Sequence, residues 1–143
     1  MNTTIISDTA EAIFALNEGE LIAIVTDKQA PVFARAKACQ RLAAVGTRKC
    51  LPALGALLAD PKLGHYARYG LEPIPDPGVD TVLLRALKKL GGRARVGVIT
   101  SLAARRCEKA LGPLKKLGGD ADAETADAAQ AALLFLGSGN RVA

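Results

Sequence analysis

Histidine occurs once in this chain of 143 residues, at position 65, and tryptophan not at all. A single imidazole rules out any site that needs two, such as a two-histidine zinc site or an HExxH helix. Cysteine is scarce and odd in number: Cys39, Cys50 and Cys107, with no CxxC spacing. That pattern argues against a closed disulfide framework and against a structural zinc site. It fits three buried free thiols, since unpaired cysteine packs as a small apolar residue. A Cys39–Cys50 bridge is the alternative. Long hydrophobic runs are missing as well. No segment approaches the about 18 unbroken apolar residues of a membrane span. The stretch from Met1 to Ser7 has no basic start, and Leu21 to Val25 is too short for a signal core. The chain as given therefore reads as cytoplasmic, and as exported if it is a fragment of a larger exported protein.

The motifs of common enzymes are absent too. There is no GxSxG elbow, no P-loop and no GxGxxG after a strand. His65, Ser7, Ser101 and Ser138 make no arguable triad. Lys89 to Arg93 is basic and glycine-rich but falls between helices, where it reads as a turn. The expectation is a protein that is not an enzyme and carries no metal and no cofactor.

What the chain does have is apolar content of one kind. It is 50% hydrophobic with only 3% aromatic residues, and alanine and leucine supply the difference. Those two residues lose little entropy in a helix. They also recur on a grid. Leu54, Leu84 and Leu114 stand thirty residues apart, as do Leu57, Leu87 and Leu117. A second ladder runs Leu42, Leu71, Leu102, Leu133, each preceded four residues earlier by Ala38, Ala67, Val98 or Ala129. Two amphipathic ladders per repeat mean two helices per repeat.

Turn residues punctuate this pattern. Gly46 and Gly137 are expected to end helices in a left-handed C-cap. Pro31 sits at a helix start, and Asp60, Asp120 and Asp122 lie where they can cap turns and helices. Pro73 to Gly78 cannot be helical. The reading is all-α: a lead helix over about 8–17, capped by Ser7 or Asp8, then four helix pairs. The first helices fall near 19–27, 49–59, 78–90 and 108–118, the second near 31–45, 62–71, 93–105 and 123–136. The repeats then span about 19–46, 49–72, 78–107 and 108–137 of a single domain, 1–143.

These segments resemble the HEAT repeats. Leu51 to Asp60 and Leu111 to Asp120 are similar to the first helix and turn of such a repeat, including its early proline. Val32 to Gly46 is similar to the second helix, with Arg35 seven residues before Leu42; Arg95 stands in the same relation to Leu102. Gly64 and Ala126 replace that arginine in the other two repeats, and Thr81 replaces the first ladder leucine of the third. His65 to Asp80 and Arg95 to Arg106 further resemble HEAT segments of large, often exported, bacterial proteins. The resemblance covers about residues 20–137. It implies a right-handed α-α superhelix, a solenoid of stacked pairs, with protein binding as the usual role and no catalytic residues.

The net charge of +5 conceals a strong asymmetry. Residues 1–34 carry Asp8, Glu11, Glu18, Glu20 and Asp27 against Lys28, and residues 120–143 carry Asp120, Asp122, Glu124 and Asp127 against Arg141. The middle, 35–119, is net +12. Such a segment attracts an acidic peptide or a phosphate backbone. With no tryptophan and two tyrosines, it offers bases little to stack on. Lys88, Lys89, Lys115 and Lys116 also suit the C-terminal ends of helices without any ligand.

In the family the second helices line the concave side. On the second-helix grid, the groove positions are Lys37 and Gln40, Tyr66 and Tyr69, Gly97 and Thr100, Ala128 and Ala131. Both tyrosines of the chain fall there, beside His65 and Arg68, and tyrosine and arginine are typical anchors of interfaces. The candidate partner-binding set is Tyr66, Arg68, Tyr69, Arg105 and Arg106, with Lys37 and Arg41. The expected function is a scaffold that binds a protein or an acidic peptide. The alternatives are binding of anions or a nucleic-acid backbone through 35–119, and a structural spacer within a longer repeat protein. Ala131 to Leu136 is very apolar, which points to self-association through the C-terminal repeat.

Overall fold

A computed structural model describes residues 9–139. Among them the chain is helical, with no strand. Nine α-helices follow in order: α1 (Ala10–Phe14), α2 (Glu18–Thr26), α3 (Val32–Val45), α4 (Leu51–Ala56), α5 (Gly64–Leu71), α6 (Gly78–Lys89), α7 (Gly92–Ala104), α8 (Leu111–Leu117) and α9 (Ala123–Gly139). Single 3-10 turns, Arg48–Cys50 and Glu108–Ala110, lead into α4 and α8. A lead helix and eight further helices thus stand close to the expected spans. None is long and apolar enough to cross a membrane.

Local chemistry sets the helix starts. Thr9 caps α1 by accepting from the Ala12 amide at 3.2 Å; Ser7 and Asp8, the expected caps, lie outside the described residues. Asn17 and Glu20 form a reciprocal capping box on α2, at 2.9 and 3.0 Å. The Asp122 carboxylate opens α9 by accepting from the Thr125 amide and hydroxyl, which holds its pKa below the usual carboxylate value. Asp60 gathers the Lys62 and Leu63 amides at 2.8 and 2.9 Å. α4 stops at Ala56 instead of reaching 59, with Leu57 as its cap at φ −87° and ψ −8°.

The described residues fall into two compact units, divided between Val79 and Asp80. In the first, α2 and α1 pack on α3, α3 packs on α5, and α4 packs on α2 and α5. Its core holds Leu21, Leu42, Leu54, Leu63 and Leu71, all fully or almost fully buried. Its polar ties join segments distant in sequence. The Thr47 amide and hydroxyl donate to Glu18, and Arg48 pairs with Asp76 at 3.1 Å. Pro73 to Pro77 is a non-helical connector, as expected, pinned by buried Ile74, but Gly78, expected to belong to it, is the first residue of α6. In the second unit α7 and α8 pack on α9, and Leu83, Leu87, Ile99, Leu102 and Leu114 are buried.

Several expectations are corrected. Gly46 is not a left-handed cap: its φ is −69° and its backbone extended. The position needs glycine for space, because a Cβ there would meet the Leu42 carbonyl at 2.6 Å and the Cys50 Sγ at 2.8 Å. Gly137 ends nothing and lies within α9. Among the described residues, those with positive φ are Gly92 and, without the freedom of glycine, Arg106 at φ 53°. The ladders also slip. α6 buries Val79, Leu83 and Leu87 and leaves Leu84 half-exposed. α9 buries Thr125, Ala129, Ala132 and Leu136, and leaves Leu133 half-exposed. In each helix a neighbour replaces one grid leucine in the core, Leu83 for Leu84 and Ala132 for Leu133, about a third of a turn away, while the grid residues Leu87 and Ala129 stay buried.

Candidate functional site

Five of the seven candidate side chains belong to the first unit. α3 carries Lys37 and Arg41, and α5 carries Tyr66, Arg68 and Tyr69. Gly70 brings these two helices into contact: a Cβ there would lie 2.8 Å from the Cys39 carbonyl oxygen and 3.3 Å from Leu54 Cδ1. Outside this contact each helix carries a stripe that is exposed or half-buried. Along α3 the stripe runs Phe33, Lys37, Gln40. Phe33 is 48% exposed, and the Lys37 ammonium stands over its ring at 5.7 Å. Such a contact shields one ring face and holds the cation at the surface.

On α5, Tyr69 is 60% exposed, and half-buried Tyr66 leans on His65 with ring centroids 4.1 Å apart. Arg68 and Arg41 are half-buried. The Arg41 Nε is buried and has no hydrogen-bond partner among the described residues. Leaving such a donor unpaired is costly, so it favours an incoming acceptor. Neither α3 nor α5 contains a carboxylate, and together they carry Arg35, Lys37, Arg41 and Arg68. Arg35 is set apart from the surface. It is 9% exposed, and its Nε and Nη2 donate to the Val25 carbonyl at 3.1 and 2.8 Å.

Arg105 and Arg106 belong to the second unit and do not act alike. Arg105 is held by Asp80 in a 2.6 Å ion pair, with its side chain only 12% exposed. It ties α6 to the end of α7. Arg106 is exposed, and its left-handed backbone sets the guanidinium 4.5 Å from the centre of the Phe135 ring. Arg95 is also occupied: its Nε donates to the Leu90 carbonyl at 2.6 Å and its Nη1 lies 3.8 Å from Asp120. The dense cations of 92–119 are thus partly spent on structure.

The second-helix grid marks a feature in this unit as well. Thr100 and Ala104 of α7, with Ala128, Ala131 and Phe135 of α9, line an apolar groove of about 340 Å³. Gly97, the remaining grid position, is buried. Phe33 and Phe135 are the site residues that the sequence reading missed. Phe33 stands one turn before Lys37, so extending the grid by a turn would have found it. Phe135 had no such signal, because its neighbours Leu133, Leu134 and Leu136 are equally apolar.

The thiols offer no reactive centre. All three are free and buried. Burial pushes Cys39 up to about 12, partly offset by the Arg35 charge, and Cys50 up to about 11, reinforced by Glu18. Cys107 is also raised, by burial and by Asp80. No group of three or more His, Cys, Asp or Glu side chains that could hold a metal gathers among the described residues. No family model matches the chain, and no curated protein matches it.

Proposed function

We propose that the chain is a non-catalytic binding module of the HEAT-repeat kind, a superhelix of stacked helix pairs. Its α3/α5 face takes an acidic segment of a protein partner. The repeat reading is supported by alternating first and second helices. It is supported also by one device that recurs sixty residues apart: Arg35 and Arg95 each cap the carbonyl end of the preceding helix, at Val25 and Leu90. Stacking of this kind buries apolar stripes that no helix pair can bury alone.

The observation that carries the binding reading is the composition of the α3/α5 face. Two packed helices expose Phe33 and Tyr69, add Lys37 and Arg41, and contain no acidic residue. Aromatic rings give contact area at low entropic cost, and the cations select an anionic partner. A labelled set of acidic peptides with one or two apolar residues tests this by fluorescence anisotropy. Expected is saturable binding that Tyr69→Ala and Lys37→Glu each weaken by about tenfold, or about 1.4 kcal/mol. Binding untouched by both changes, or none at all, refutes it.

A second reading draws on the exposed cations Lys88, Lys89, Arg93, Lys109, Lys115 and Lys116 of the second unit. They suit a phosphate backbone without base readout, and retention on duplex DNA that falls steeply with salt would favour it.

A further inference from the structure

We infer that the outer face of α9 is a self-complementary contact on which a second copy of the chain packs antiparallel about a two-fold axis. α9 buries one face, through Thr125, Ala129, Ala132 and Leu136. The opposite face carries Asp127, Ala128, Ala131, Leu134 and Phe135, at the three- and four-residue spacing of one helical stripe. Leu134 is 76% exposed and Phe135 46%, while Ala128 and Ala131 form part of the floor of the 340 Å³ groove. Large apolar side chains thus stand next to a depression lined by small ones.

The register follows from the residue positions. Ala131 is midway between Ala128 and Leu134, and also midway between Asp127 and Phe135. An antiparallel pair centred on Ala131 sets Leu134 of each copy over Ala128 of the other, inside the groove. The same operation sets Asp127 of each copy beside Phe135 of the other, where the Arg106 guanidinium stands 4.5 Å from the ring. Apolar knob meets small-residue hole, and carboxylate meets guanidinium, twice each. This reciprocity is what an isologous interface requires.

Charge complementarity also selects the direction. A parallel pairing would set Asp127 against Asp127 and Arg106 against Arg106. One helix face falls short of the 1,200 Å² or more of a standard stable interface, so the dimer is weak and depends on concentration.

Sedimentation equilibrium of the full chain tests this. The mass is expected to rise from 14.8 kDa toward twice that value, with a dissociation constant of about 10–100 μM. Leu134→Glu and Ala131→Arg change exposed positions and should each keep the chain monomeric, with unchanged circular dichroism. Asp127→Arg and Arg106→Asp should each weaken association about fivefold, and the double variant should restore it. A chain that stays monomeric at every concentration overturns the proposal; its apolar face then serves a different partner. A dimer indifferent to Leu134→Glu, or a double variant that is not rescued, overturns it equally.

Discussion

Replacing Arg35 by methionine should destabilise the first unit far more than its place on a helix of a basic face suggests. Val25 lies in the last turn of α2, where carbonyls lose their intrahelical donors. The amide that would continue the ladder, that of Gln29, is taken by the Asp27 side chain at 2.9 Å. The Asp27 amide serves Ala23 and Ile24 instead. Val25 is itself 1% exposed, so water is a poor substitute. Arg35 fills the gap with two donors on one oxygen, at 3.1 and 2.8 Å. A hydrogen bond from a charged donor contributes about 1.5–3 kcal/mol, and stranding a buried carbonyl costs about 1–3 kcal/mol. Methionine keeps the apolar stem and flexibility, so little of the loss is packing. The two figures describe one event from two sides and are not summed; the expected loss is about 2–4 kcal/mol. Urea unfolding followed by circular dichroism measures it, with an unchanged slope as the sign that the folded state alone has changed. Arg35→Lys should recover part of the loss, since one ammonium cannot reproduce the fork. A loss below about 0.5 kcal/mol for the methionine variant would mean that the Val25 carbonyl finds another donor, and the account of how α2 is tied to α3 would fail.

Gly70→Ala should cost about 1–2 kcal/mol, because its Cβ meets the Cys39 carbonyl at 2.8 Å and the gain in helix propensity only partly offsets the forced separation of α3 and α5. Gly112→Ala, with nothing within 4 Å, should instead stabilise by up to about 1 kcal/mol, and similar urea midpoints for the two variants would refute the close approach. The thiols set an alkaline limit: with Cys39 at about 12 and Cys50 at about 11 in the fold, against 9.0 when unfolded, the unfolded chain releases these protons first. Their contribution is intact below pH 9.0 and is lost as pH rises toward 11–12, so a Cys39→Ala/Cys50→Ala pair should show a shallower alkaline fall in stability than the parent; parallel curves would refute it.

Helix number and order were legible because each depends on signals within a few residues. Leu42 with Ala38, and Leu71 with Ala67, define a stripe at one-turn spacing, and the prolines Pro73, Pro75 and Pro77 break it wherever neighbours pack. The slip in α6 was not legible, for a specific reason. Leu83 and Leu84 are adjacent, a third of a turn apart, and equally apolar, so period alone cannot choose between them. The choice comes from a partner 25 residues away: Arg105 holds Asp80, and Leu83, three residues on from Asp80, is buried while Leu84 is half-exposed. The same limit governs the site. Tyr69 and Lys37 could be given a face because the ladder residues beside them are core and their own positions are not. Arg105 looked equally available, since nothing local distinguishes a cation paired across two helices from a free one. Arg106, one residue later, escapes the same fate through its left-handed backbone, which turns it from Asp80 toward Phe135. Two adjacent arginines therefore do opposite work: one closes the fold, and the other stands at the surface where a partner's carboxylate would meet it.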